Sequence, residues 1–166
     1  MTIKTLSNYN IANKNILVRV DLNVPIENGK ISDNSRIVSA IPTIKAIQSF
    51  GGKSILISHF GRPNGLYNKE LSLNKVVPTL EKLLNFPVKF SPELIGKNVL
   101  QIIDSLKSGE ILLLENTRFY AEEEINDENF SKELSKLGDI FCNDAFSVAH
   151  RAHASNVGVA KLLPNC

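Results

Sequence analysis

The amino-acid sequence predicts an α/β fold, a mostly parallel β-sheet with helices on both faces in a three-layer, Rossmann-like arrangement. Short apolar runs of strand length alternate with longer stretches in which apolar residues recur at helical spacing. The run 110–114 is almost entirely apolar, as expected for a strand that helices cover on both faces. The 166 residues, 43% of them hydrophobic, suffice for one domain with a sizeable core.

The elements follow in order along the chain. The strands are predicted over 16–20, 54–58, 88–90, 110–114 and 139–142. The helices are predicted from near Asp33 to Gly51, and over 73–84, 99–106 and 128–137. Pro42 interrupts the first helical pattern and is expected to kink the helix or limit its first part. The acidic run 122–124 is predicted to lie on a solvated loop.

Composition and charge exclude several classes of protein. A formal net charge of +2 is close to balance, so neither a general nucleic-acid binder nor a membrane-surface protein is expected. The sequence has no apolar run long enough for a membrane span and no apolar signal core at its start. Two cysteines, Cys142 and Cys166, do not form a disulfide framework, and a cytoplasmic location is expected.

Arginine is scarce in this sequence and therefore informative. Only five of the 19 basic residues are arginines. The planar guanidinium can bind a carboxylate or phosphate with two hydrogen bonds. In a sequence that otherwise prefers lysine, the arginines are therefore candidate anion-binding residues. Any single one of them could still be an ordinary surface or ion-pair arginine.

Polar side chains follow the predicted strands at the edge where ligands of parallel sheets bind. Four arginines are expected to converge there on one rim, which indicates a small, strongly anionic ligand, since like charges repel without an anion between them. A neighbouring carboxylate and amide suit a hydroxyl group of that ligand. The polar residues expected at this edge are Asp21, Asn23, Arg36, His59, Arg62, Arg118, Asn143, Asp144 and Arg151.

Each of these residues also has a structural alternative. Asp21 could bond loop amides, and His59 could be a structural histidine. His150 and His153 have the H-x-x-H spacing, but no third ligand stands nearby in sequence, so no metal site is predicted. The sequence contains neither G-x-G-x-x-G nor G-x-x-x-x-G-K-[ST], and no cofactor-binding residues are predicted.

Five long motifs in order resemble those of the phosphoglycerate kinase family and span most of the chain. They are VRVDLNVP (18–25), DNSRI (33–37), SHFGRPNG (58–65), LENTRF (114–119) and NDAFSVAHRAHAS (143–155). The resemblance implies reversible phosphoryl transfer between 1,3-bisphosphoglycerate and ADP, giving 3-phosphoglycerate and ATP in glycolysis. It also implies that seven residues bind the acid, with Arg36 as the catalytic residue beside the transferring phosphoryl group. These residues are Asp21, Asn23, Arg36, His59, Arg62, Arg118 and Arg151.

The resemblance implies a division of labour between two domains. Residues 1–154 would form the acid-binding N-terminal domain, and 155–166 a truncated start of the interdomain region. A second domain, absent from these 166 residues, would hold ADP or ATP with Mg²⁺, so this chain alone is expected to transfer nothing. The full-length protein is expected to be a monomer. Two alternatives remain: a stand-alone module that binds small anions, and a complete small enzyme such as a phosphatase.

Overall fold

A five-stranded, entirely parallel sheet forms the centre of the computed structural model, which describes residues 5–166. Its strands lie in the order β5-β6-β4-β1-β7. A short antiparallel hairpin of two further strands stands apart from this sheet. In chain order the strands are β1 (Asn15–Val20), β2 (Ile26–Glu27), β3 (Lys30–Ile31), β4 (Lys53–Ile57), β5 (Lys89–Ser91), β6 (Ile111–Leu114) and β7 (Ile140–Asp144).

Helices connect the strands. A 3₁₀ turn, Leu73–Val76, leads directly into the second helix, and a five-residue π-helical turn, Ala154–Gly158, follows the last strand. The α-helices are α1 (Ser35–Ser49), α2 (Val77–Leu84), α3 (Lys97–Asp104), α4 (Ala121–Glu124) and α5 (Glu128–Ser135).

The sheet separates two hydrophobic clusters, one on each face. Along β1, Ile16 and Val18 belong to the cluster that includes α1 and α2, whereas Leu17 between them belongs to the cluster that includes α3 and α5. This alternation follows from the two-residue period of a strand. The predicted three-layer α/β fold is therefore confirmed.

Most element boundaries agree with the predicted ones to within two residues. The helix α1 runs through Pro42 without a break in its helical assignment. The two-residue strands β2 and β3 were not predicted, although Asn28 and Gly29, which form the turn that joins them, are typical turn residues. The acidic run is a correction: 122–124 lies in α4, and the middle carboxylate, Glu123, is fully buried.

Residues 155–166 pack against the rest of the chain. Val159 is fully buried and belongs to the hydrophobic cluster that includes Leu17 and residues of α5. Phe141 of β7 accepts a backbone hydrogen bond from Cys166 at 2.9 Å and donates one to Pro164 at 2.8 Å. The segment therefore extends one of the two cores and the β7 edge of the sheet.

Candidate ligand-binding site

A pocket of about 260 Å³ opens at the carboxyl edge of the sheet. It collects side chains from the loops that follow β1, β4, β6 and β7, together with one residue from the first turn of α1. Since all five strands are parallel, their carboxyl ends meet at this one edge. The lining residues are Asn23, Arg36, His59, Gly61, Arg62, Arg118, Ser147, Val148 and Arg151.

Hydrogen bonds between loops hold the pocket together at β1 and β4. Ser58 is fully buried, and its Oγ accepts a hydrogen bond from the backbone of Leu22 at 3.0 Å. Asn23 accepts a hydrogen bond on Oδ1 from the backbone of Gly61 at 2.9 Å, which leaves its amide NH₂ group available to a ligand. Gly61 has a φ of +61°, a conformation that glycine adopts without strain.

Asn116 clamps the loop after β6 to the loop after β4. Its side chain is fully buried, accepts hydrogen bonds from the backbones of Phe60 and Arg118, and donates to the carbonyls of Phe60 and Leu71. Arg118 is held by this clamp and donates from Nη1 to the carbonyl of Gly61 at 3.1 Å. The arginine is therefore placed by its backbone and its side chain together.

Arg36 and Asp21 form an ion pair beside the pocket. Nη1 of Arg36 donates to Oδ2 of Asp21 at 2.8 Å, and Ser147 donates its hydroxyl to the same oxygen. Oδ1 of Asp21 accepts from the backbone of Asn23 at 3.1 Å. Asp21 thus uses both oxygens within the protein and lines an adjacent cavity, whereas about half of the Arg36 side chain stays exposed.

The loop that carries Arg151 is tied to the chain that follows it. Nδ2 of Asn156 donates to the carbonyls of Val148, Ala149 and Arg151, and its Oδ1 accepts a hydrogen bond from Asn143 at 2.8 Å. Asn156 belongs to the π-helical turn. This turn therefore positions one wall of the pocket.

The pocket is strongly positive and carries a neutral imidazole. Four arginines line it. Two carboxylates offset part of this positive charge: Asp21 pairs with Arg36, and Glu124 lies 3.4 Å from Nε of Arg118. Burial lowers the pKa of the Arg118 guanidinium, which remains charged at neutral pH. Burial and then the charge of Arg19 lower the pKa of His59 to about 3, so His59 offers a hydrogen bond but no positive charge.

Comparison with known proteins identifies the family. The sequence model of phosphoglycerate kinase matches residues 6–166. This chain belongs to the phosphoglycerate kinase family. It is 50% identical to a phosphoglycerate kinase of Ruegeria sp. over 98% of this chain and 41% of that protein, and 50% identical to that of Borrelia garinii over 99% and 42%. The chain thus spans about two fifths of the length of these relatives.

Solved structures of phosphoglycerate kinases share the fold. The enzyme of Pyrococcus horikoshii superposes with a TM-score of 0.89 at 35% identity, covering 98% of this chain and 42% of that one. The enzyme of Coxiella burnetii gives a TM-score of 0.86 at 39% identity, covering 96% and 40%. The likeness therefore extends over nearly the whole of this chain.

Six of the seven residues expected to bind the acid in a phosphoglycerate kinase line one pocket here. The seventh, Asp21, does not line the pocket but forms an ion pair with Arg36. Three residues of the site were not predicted from the sequence: Ser147, which lines the pocket, and the buried Asn116 and Asn156, which hold its loops in place. All three lie within the family motifs or one residue beyond them, and this position in the sequence was the one feature that could have marked them as functional.

Residues 5–166 contain no group of three or more histidine, cysteine or carboxylate side chains arranged to hold a metal ion. None of the helices over this range is long and apolar enough to cross a bilayer.

Proposed function

We propose that the pocket binds 3-phosphoglycerate and 1,3-bisphosphoglycerate, and that the chain is the acid-binding part of a phosphoglycerate kinase. The observation that carries this proposal is the convergence of four arginines, one neutral imidazole and a free amide on one small pocket. Arginine suits both anionic ends of such an acid, a carboxylate and a phosphate that carries nearly two charges. The amide of Asn23 suits its hydroxyl or carboxylate oxygens.

The side chains would take different parts in the reaction. Arg62, Arg118, Arg151 and His59 would neutralise and orient the acid. Arg36, half exposed at the mouth, would face the phosphoryl group in transit, because phosphoryl transfer is promoted by alignment and by cancellation of charge. The attacking carboxylate is already ionised at neutral pH, so no general base is required.

The nucleotide would be held elsewhere. We assign ADP or ATP with Mg²⁺ to a second domain, in accordance with the two fifths of the relatives' length that this chain spans. The 166-residue chain alone is then expected to bind the acid without turning it over. As part of a monomeric glycolytic enzyme, it would work in the cytoplasm.

Calorimetric titration of the chain with 3-phosphoglycerate tests the proposal. Arg62 lines the pocket, is exposed and makes no ion pair within residues 5–166, so Arg62→Ala removes a ligand contact without dismantling the fold. We expect a loss of about tenfold to a hundredfold in affinity, the contribution of a charge-assisted contact. Binding should also weaken with added salt.

The matched control is Lys82→Ala, which removes a positive charge from α2 outside the pocket and should leave the affinity unchanged. MgADP should give no heat of saturable binding. A folded chain that fails to bind 3-phosphoglycerate, or that binds it equally well after Arg62→Ala, would contradict the proposal.

A further inference from the structure

A buried network of three polar side chains lies directly beneath the pocket. Arg19 of β1 is 1% exposed, and Ser155 and Glu123 are fully buried. None of the three lines the pocket. Arginine and glutamate are rarely buried unless they are paired, so the partners of these two side chains indicate what they do.

The three side chains form one continuous series of hydrogen bonds. Nε of Arg19 donates to Oγ of Ser155 at 3.0 Å. The Ser155 hydroxyl donates to one oxygen of Glu123, and the Ser155 backbone donates to the other at 2.9 Å. The positive charge of Arg19 and the negative charge of Glu123 are therefore joined through a single hydroxyl, which fixes the plane of the guanidinium.

The other end of the guanidinium meets the pocket histidine. Nη2 of Arg19 lies 3.1 Å from Nδ1 of His59, while Nη1 donates to the carbonyl of Val20 at 2.7 Å. A guanidinium has only donors, so Nδ1 must accept this hydrogen bond. A neutral imidazole whose Nδ1 accepts carries its proton on Nε2.

The proton on Nε2 is free for a ligand. His59 lines the pocket, and its Nε2 makes no hydrogen bond to another residue in the described range 5–166. The charged groups that face His59 are Arg19, Asp21, Arg118 and Arg151, three of them positive. Protonation of His59 would add a further positive charge beside three arginines, and their repulsion disfavours it.

We propose that Arg19, held in place by Ser155 and Glu123, is a positioning residue that fixes His59 as the neutral tautomer with its proton on Nε2, directed at the acid. The lowered pKa of His59 agrees with this geometry. Its donor is then available throughout the physiological pH range. The proposal rests on the proposed function for the identity of the ligand, but the tautomer is a property of the chain without ligand.

Long-range ¹H–¹⁵N NMR of the histidine rings tests the tautomer directly, since it distinguishes a protonated from an unprotonated ring nitrogen. The chain has only three histidines, so His150→Gln and His153→Gln assign the remaining signal to His59. We expect Nε2 protonated and Nδ1 unprotonated at pH 5 to 8, with no titration over that interval. A wild-type spectrum with the proton on Nδ1, or titration near the ordinary pKa of 6.5, would overturn the proposal.

Variants separate positioning from mere packing. Arg19→Met, of similar length, removes the donor to Nδ1, and we expect both tautomers together with a pKa of His59 shifted towards its ordinary value. Ser155→Ala keeps both charges and removes only the bridging hydroxyl, and the second tautomer should appear there as well. Arg62→Met is the matched control, since Arg62 makes no hydrogen bond to His59, and it should keep the single tautomer. Unchanged spectra in Arg19→Met and Ser155→Ala would overturn the proposal.

Titration with 3-phosphoglycerate keeps the two proposals distinguishable. We expect Arg19→Met to lower the affinity about tenfold, as for one hydrogen bond to a charged group. The correct tautomer in a chain that binds no acid would contradict the proposed function and leave this inference standing. The wrong tautomer in a chain that binds the acid would contradict this inference alone.

Discussion

At the level of single side chains, Asp21 shows how the pocket balances its own charge. Burial raises the pKa of Asp21, but hydrogen bonds from Ser147 and Asn23 and the charge of Arg36 outweigh burial, and the pKa ends below its usual 3.8. The carboxylate is therefore ionised at neutral pH and orients Arg36. A group whose folded pKa is depressed contributes stability above its ordinary pKa, and that stability disappears as the pH falls through the folded value.

The replacement Asp21→Asn tests this contribution. At pH 7 we expect it to lower the free energy of unfolding by about 1 kcal/mol, a small value because the half-exposed Arg36 is screened by solvent. The difference from wild type should hold above about pH 5, decline as the pH falls below the ordinary pKa of 3.8, and vanish once the pH is below the lower pKa of the folded state. Urea unfolding at several pH values measures it. Asp104→Asn, at an exposed aspartate of α3, is the control, and a pH-independent difference for Asp21→Asn would refute the account.

The convergence of the pocket residues was predictable because each follows a strand or starts a helix at a known distance. The buried contacts of Arg19 and Glu123 were not predictable because burial depends on partners far away in the chain. Arg19 meets Ser155 across 136 residues, and Glu123 stands in a run of three glutamates that resembles a solvated loop. Nothing local distinguishes the one buried glutamate of the three from its exposed neighbours.

At the level of secondary structure, the loops after β4 and β6 behave as one unit because Asn116 joins them. Asn116→Ala would leave two backbone N–H groups and two carbonyls without their present partner. At about 1 kcal/mol for each hydrogen bond, we expect a loss of about 3 to 4 kcal/mol in the free energy of unfolding, measured by urea denaturation.

The control for this clamp is Asn98→Ala, whose side chain bonds Glu93 at the surface and should cost less than about 0.5 kcal/mol. The same clamp positions the backbone of Arg118, so Asn116→Ala should also weaken binding of 3-phosphoglycerate. A folded Asn116→Ala protein with wild-type stability would show that the two loops hold their places independently.

The strands and helices themselves were predictable because their apolar periods are long enough to recognise. The strands of the hairpin at Asn28 and Gly29 have two residues each, too few to show alternation. The helix α4 has four residues and owes its place to the buried contacts of Glu123 with Ser155. Such short elements depend on tertiary contacts, which no local pattern reveals.

For the molecule as a whole, the pocket couples ligand binding to stability, since its walls come from the loops after four strands and from α1. In the folded chain without ligand, the four arginines of the pocket repel one another, and a bound anion offsets that repulsion. A ligand that binds only the folded chain stabilises it by about 2.7 kcal/mol at a hundredfold excess over its Kd. For a domain of this size that corresponds to a rise in Tm of about 5 to 10 °C.

Thermal denaturation with increasing 3-phosphoglycerate therefore tests the pocket without any assay of turnover. We expect the Tm to rise with the logarithm of ligand concentration above the Kd, and Arg62→Ala to need the higher concentration set by its weaker affinity. Glycerol 3-phosphate, which lacks the carboxylate, should stabilise less because it engages one anionic end only. Equal stabilisation by the two compounds would show that the pocket recognises a phosphate alone, and the assignment of arginines to both ends of the acid would fall.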